Sequence, residues 1–140
     1  MYNNIITETD LGVGIITLNR PERHNAFDDA LIAELSAAID QMAADPAVRV
    51  LVISSSGKSF CAGADLNWMK RAAGYGGEEN LRDSRALADM LRRLAQCPKP
   101  TIARIQGPAY GGGVGLVACC DIAIATFDVQ FSLTEVKLGL

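Results

Sequence analysis

Two glycine-bearing segments and one glutamate have the residue types and spacing that suit chemistry. The first segment is Cys61-Ala62-Gly63-Ala64-Asp65 and the second is Gly111-Gly112-Gly113-Val114-Gly115. Each ends a β-like run and opens a helix-like stretch. Glycine in such a turn admits positive φ and lets another backbone approach closely. The start of a helix leaves free N–H groups at the positive end of its dipole. Two such turns on one sheet converge two N–H donors on one developing oxyanion. The other reading of a triple glycine is tight packing alone. A carboxylate would complete the site. Glu135, in Leu133-Thr134-Glu135-Val136, follows a β-run and is flanked by apolar residues, a setting for acid–base work. Its other reading is a solvated loop side chain.

Competing chemistries find little support. Neither turn carries a dinucleotide fingerprint in a first βα unit, a P-loop GKS or GKT, or a GxSxG elbow. His24 is the single histidine, so a metal site lacks its ligands. Cys61, Cys97, Cys119 and Cys120 form no CxxC pair and read as buried free thiols. Nothing near Cys61 would activate a thiolate. The net charge of −3 and the absence of a basic run argue against a nucleic-acid partner. Aromatics are 6% of the chain, too few for a base-stacking platform. No apolar run approaches the roughly 20 residues of a membrane span. The first ten residues carry no signal pattern, which points to a cytoplasmic protein. At 140 residues, 49% hydrophobic and 21% charged, the chain has the make-up of one folded α/β domain.

The elements that must position these residues follow from periodicity. Runs at 3–8 and 13–19 predict a β-hairpin, which Pro21 ends. Leu31, Ile32, Leu35, Ile39 and Met42 share one face of a helix over 29–44, capped by Asp28. The apolar run at 48–54 predicts a strand covered on both faces, hence a βαβ unit. Asp65 caps a short helix over 66–73. A longer helix over 79–95 places Leu81, Ser84, Ala88, Leu91 and Ala95 on one face, and Pro98 ends it. Strands follow at 101–106, 121–126 and 129–133, with a helix over 113–119. Asp121 reads as structural. Trp68 and Met69 read either as pocket wall or as core.

Four segments, taken in order, resemble the crotonase family of enoyl-CoA hydratases and isomerases. They are ITLNRPERHNAF at 16–27, SFCAGADL at 59–66, IQGPAYGGGVGLVACCDIAIA at 105–125 and FSLTEVKLGL at 131–140. The run at 62–69 is also similar to hydratases of branched or carboxylated enoyl-CoAs, such as methylglutaconyl-CoA hydratase.

The resemblance implies an α/β, crotonase-like ββα spiral and an acyl-CoA substrate. It implies that the N–H groups of Ala64 and Gly112 hold the thioester oxygen while Glu135 moves protons. Arg23, Ala26, Ala62, Gly63, Asp65, Leu66 and Gly111 would line the CoA path, with Arg23 facing its phosphates and His24 nearby. No metal is implied, and no cofactor apart from the coenzyme A that the substrate carries. The family's hydratases commonly use two glutamates, and Gly115 stands where the first would be. Hydration of a 2-enoyl-CoA is the leading expectation, Δ3-Δ2 isomerisation the second, and a non-catalytic CoA-binding or assembly module the third. Family members are nearly twice as long. Residues 1–140 are therefore read as an N-terminal part, truncated before the C-terminal helices that build a homotrimer or hexamer.

Overall fold

The computed structural model describes residues 1–139. Strands β1 (Ile5–Asp10) and β2 (Val13–Leu18) form an antiparallel hairpin in the register Ile5↔Leu18 to Asp10↔Val13. Its two-residue turn needs positive φ twice, at Leu11 (46°) and Gly12 (86°), and that matches the strand twist. From β2 the chain crosses through helix α1 (Asp29–Ala44) to β3 (Val50–Ser55), which runs parallel to β2. Helices α2 (Leu66–Ala72) and α3 (Gly77–Ala95) lead to β4 (Thr101–Ile105), parallel to β3. A short β5 (Ala109–Tyr110) and helix α4 (Gly112–Cys119) precede β6 (Ile122–Ala125), parallel to β4. The main sheet has the order β1-β2-β3-β4-β6. The last strand, β7 (Phe131–Ser132), pairs with β5 in a separate two-stranded sheet.

Helix α1 follows the predicted span. Asp28 caps it, its Oδ1 accepting the Leu31 N–H at 2.9 Å. All five apolar residues of the predicted stripe are buried, joined by Ala38. They pack on the sheet beside Ile16, Leu18, Leu51 and Ile53 in one core cluster. At roughly 1.5–3 kcal/mol for each large apolar side chain, this layer supplies much of the fold's driving force.

Helix α3 corrects the expected face. Met90 and Leu94 are buried and Leu87 and Leu91 are partly so, whereas Leu81, Ser84, Ala88 and Ala95 are exposed. Only the C-terminal half of α3 packs inward, so its seam follows those four residues rather than the stripe that begins at Leu81. The helix also starts two residues earlier, where the Glu79 side chain accepts the Gly76 N–H at 3.0 Å. Asp121 is structural: its carboxylate accepts the Thr101 N–H and hydroxyl at 2.8 and 3.0 Å, stapling β6 to β4. The predicted strand at 129–133 shrinks to β7, and β6 has no buried residue.

Candidate functional site

Segment 60–65 runs between two other backbones. On one side, the Phe60 and Cys61 N–H groups donate to the Pro108 carbonyl, and Tyr110 N–H donates to the Cys61 carbonyl at 2.9 Å. On the other, Ala62 N–H donates to the His24 carbonyl at 3.0 Å. Phe27 N–H donates to the Gly63 carbonyl, and Asp65 N–H to the Phe27 carbonyl, both at 2.7 Å. This ladder skips Ala64. Ala64 is exposed, and among the described residues its N–H has no acceptor.

The three central glycines of the second turn each meet a different partner. Gly111 has φ 51° and ψ −123°, and a Cβ there would stand 2.6 Å from Glu135 Oε1. A Cβ on Gly112 would stand 3.0 Å from the Phe27 ring, and one on Gly113 would collide with the Cys61 carbonyl. Gly63 closes the contact from the first turn. Its φ is +88°, and a Cβ there would be 3.0 Å from the Tyr110 oxygen and 3.3 Å from the Gly112 nitrogen. The two turns therefore touch backbone to backbone, and the Glu135 carboxylate lies against Gly111. Gly112 is the first residue of α4 rather than the residue before it. Its N–H has no carbonyl four residues back within the helix, and among the described residues no other backbone group accepts it.

A cleft of about 590 Å³ opens at this junction. Arg23, Ala26, Ala62, Gly63, Ala64, Asp65, Leu66, Gly111 and Glu135 line it. Of the ten residues singled out from the sequence, Gly112 alone is not in its wall, its nitrogen lying against Gly63. Asn67, Lys70 and Thr134 also line the cleft and were not foreseen. Leu66, Met69 and Lys70 stand at i, i+3 and i+4 on α2, so helical spacing was the available signal. His24 and Met69 are wall residues, while Trp68 is core. The apolar collar expected around Glu135 is not formed by its neighbours. Leu133 and Val136 are 64% and 74% exposed.

Asp65 is buried and caps α2, accepting the Asn67 and Trp68 N–H groups at 2.8 and 3.1 Å. Burial alone raises its pKa. Those two donors, with Arg23 at 3.3 Å and Arg20 at 3.6 Å, outweigh burial and leave it below the ordinary carboxylate range. It is held as an anion and already committed to its partners, whereas among the described residues Glu135 is the carboxylate of the cleft with no hydrogen-bond or ion-pair partner. Burial pushes the Cys61 thiol up to about 12, only partly opposed by a hydrogen bond from the Gly63 backbone. Cys61 is thus no nucleophile. Among the described residues, no group of three His, Cys, Asp or Glu is placed to hold a metal ion. Among the described residues, no helix is long and apolar enough to cross a membrane. Gly115 lies outside the cleft, where a Cβ would rest 3.7 Å from a Leu91 methyl.

Residues 8–140 match the family model described as enoyl-CoA hydratase/isomerase. The chain belongs to that family. As a member of the enoyl-CoA hydratase/isomerase family it is similar to the crotonyl-CoA hydratase of Syntrophomonas wolfei, at 38% identity over 99% of this chain and 53% of that protein. It is also similar to the 1,2-epoxyphenylacetyl-CoA isomerase of Escherichia coli, at 37% identity over 100% of this chain and 54% of that one. Among solved structures, an enoyl-CoA hydratase from Shewanella pealeana superposes with a TM-score of 0.95 and 41% identity. That match covers 99% of this chain and 52% of the Shewanella chain. The chain thus has the crotonase fold and spans about half the length of these relatives.

Proposed function

We propose that this cleft binds an acyl-CoA thioester and hydrates a 2-enoyl-CoA. The observation that carries the reading is the junction itself: two adjoining turns with the open N–H groups of Ala64 and Gly112, and one uncommitted carboxylate, Glu135, against Gly111. The two N–H groups hold the thioester oxygen as negative charge develops on it. One such donor is typically worth about 2.7–4 kcal/mol of transition-state stabilisation. Glu135 takes a proton from water as the water oxygen bonds to C3. The C2=C3 electron pair moves onto the thioester oxygen. Collapse of that enolate draws the proton from Glu135 to C2, and the carboxylate is restored. Arg23, Ala26, Ala62, Gly63, Asp65, Leu66 and Gly111 support the reading as walls of a CoA path, with Arg23 beside the phosphates. A cytoplasmic homotrimer or hexamer working in acyl-CoA breakdown belongs to the same reading.

A second reading is favoured by Gly115 and the single uncommitted carboxylate. In a Δ3-Δ2 isomerisation Glu135 removes a proton from C2 of a 3-enoyl thioester and returns it to C4. The double bond moves from C3=C4 to C2=C3 and no water is needed.

The test compares Glu135→Gln with the parent on crotonyl-CoA hydration and on the shift of a 3-enoyl-CoA, with CoA-thioester binding measured in parallel. General acid–base catalysis is worth about 10²–10⁴-fold, so kcat should fall that far while binding persists. Which activity the parent shows, and the variant loses, names the reaction. Binding without turnover in the parent would make the protein a CoA-binding module. Retention of both activities in the variant would remove Glu135 from the chemistry.

A further inference from the structure

We propose that Arg20 is a positioning residue for the Ala64 donor, a role that rests on the oxyanion reading above. Its side chain is 10% exposed and meets three separate oxygens, one through a hydrogen bond and two as ion pairs. One nitrogen, Nη1, donates to the Ala26 carbonyl at 2.9 Å. The other, Nη2, lies 2.8 Å from Asp28 Oδ2 and 3.6 Å from Asp65 Oδ2. These acceptors are not scattered. Asp28 caps α1, Asp65 caps α2, and Ala26 precedes Phe27, whose N–H and carbonyl bracket Ala64.

One side chain therefore grips both backbones that define the Ala64 peptide. It bonds the Ala26 carbonyl and lies within ion-pair distance of the Asp65 carboxylate, which Arg23 approaches more closely at 3.3 Å. Asn25 completes the grip from below. Its Oδ1 accepts the Arg20 N–H at 2.8 Å, and its Nδ2 donates to the carbonyls of Ser56 and Ser59 at 2.8 and 3.0 Å. The Arg20–Asn25 loop is thereby tied to the chain leading into the first glycine turn.

The planar fork lets Nη1 bond the Ala26 carbonyl while Nη2 faces the Asp28 and Asp65 carboxylates. A lysine at the same place keeps the charge and loses the geometry. The charge itself is balanced, with Arg20 and Arg23 facing Asp28 and Asp65. Loss of the fork should loosen the angle at which Ala64 presents its N–H, without emptying the cleft. Misplacement by about 1 Å at a reacting centre can cost on the order of 100-fold in rate.

The experiment uses Arg20→Lys and Asp28→Asn. Asparagine also caps helices, so the second variant removes the ion pair while preserving the cap, and it serves if Arg20→Lys fails to fold. Two readouts are taken. In the ligand-free protein, hydrogen exchange of the Phe27 and Asp65 amides is compared with that of Val52 in β3. With ligand, cinnamoyl-CoA serves as the probe, because its absorbance moves to longer wavelength when its carbonyl is polarised. The expected result is faster exchange at Phe27 and Asp65 with Val52 unchanged, together with loss of the red shift. For crotonyl-CoA, kcat should drop on the order of 100-fold in Arg20→Lys, with KM within about threefold. Parent-like exchange at Phe27 and Asp65 in both variants would overturn the role of Arg20. An absent red shift in the parent would instead sink the oxyanion reading, and the ligand-free amides would still decide whether Arg20 positions Ala64.

Discussion

The donor side and the carboxylate side of the cleft are built to different standards. On the donor side, segment 60–65 is hydrogen-bonded to two flanking backbones, and its own Phe60 and Cys61, like Phe27, are at most 1% exposed. On the carboxylate side, Glu135 lies in a 3-10 turn (Thr134–Leu138) just after a two-stranded sheet with two residue pairs, Ala109↔Phe131 and Tyr110↔Ser132. Phe131, Leu133 and Val136, its neighbours in the chain, are exposed. Local stability follows buried apolar contact and protected backbone bonds. Within the described residues, the proposed N–H pair rests on the core, whereas Glu135 is held by a few backbone bonds and by its contact with Gly111.

Substitutions should separate the two sides. Phe27→Ala should have the largest effect on stability, about 3–5 kcal/mol, because the ring is buried and packs against Gly112. Denaturant melts with an unchanged slope would measure it, and a loss below 1 kcal/mol would mean the donor side is not core-supported. Gly111→Ala should come next, at about 1–3 kcal/mol, since the new methyl meets Glu135 Oε1 at an already strained φ. Its activity should fall further than its stability, because the side chain displaced is the proposed proton carrier. Parent-like activity would place Glu135 elsewhere.

Acid should act on the donor side through Asp65. Its folded pKa lies below the unfolded value, so the stability it contributes is fully present above about pH 3.9 and is lost as pH falls through the folded value. Acid titration of the melting temperature should show this limb, and Asp65→Asn should flatten it. The smallest effect is expected at Leu133→Ser, within about 0.5 kcal/mol, since the residue is already exposed. A large loss there would show that the carboxylate side is better packed than its exposure indicates.

How much was legible from sequence depended on whether the signal was local. The span of α1, its Asp28 cap and its buried stripe all reflect one amphipathic helix, so period and capping chemistry suffice. Both glycine turns stand out because their composition is extreme, and nine of the ten site residues that the family resemblance implies line the cleft. The buried face of α3 was misread because only half of that helix meets a neighbour, and no residue inside the helix records where its partner ends. Arg20 drew no notice. An arginine before a proline reads as a solvated loop cation, and only the fold brings Asp28, Asp65 and the Ala26 carbonyl around it.

The chain by itself determined the alternation of strands and helices, the caps at Asp28 and Asp65, and the supply of glycine wherever a Cβ would strike another backbone. Those are properties of short stretches, set by φ preference, hydrophobic period and side-chain-to-backbone hydrogen bonds. Tertiary structure alone decided that Gly63 meets Gly112, that Glu135 rests on Gly111 and that Ala64 keeps its N–H open. Each is a contact between segments far apart in the chain, created when the sheet closes over α1 and the core excludes water. Such contacts depend on the relative placement of whole elements, which no local pattern encodes.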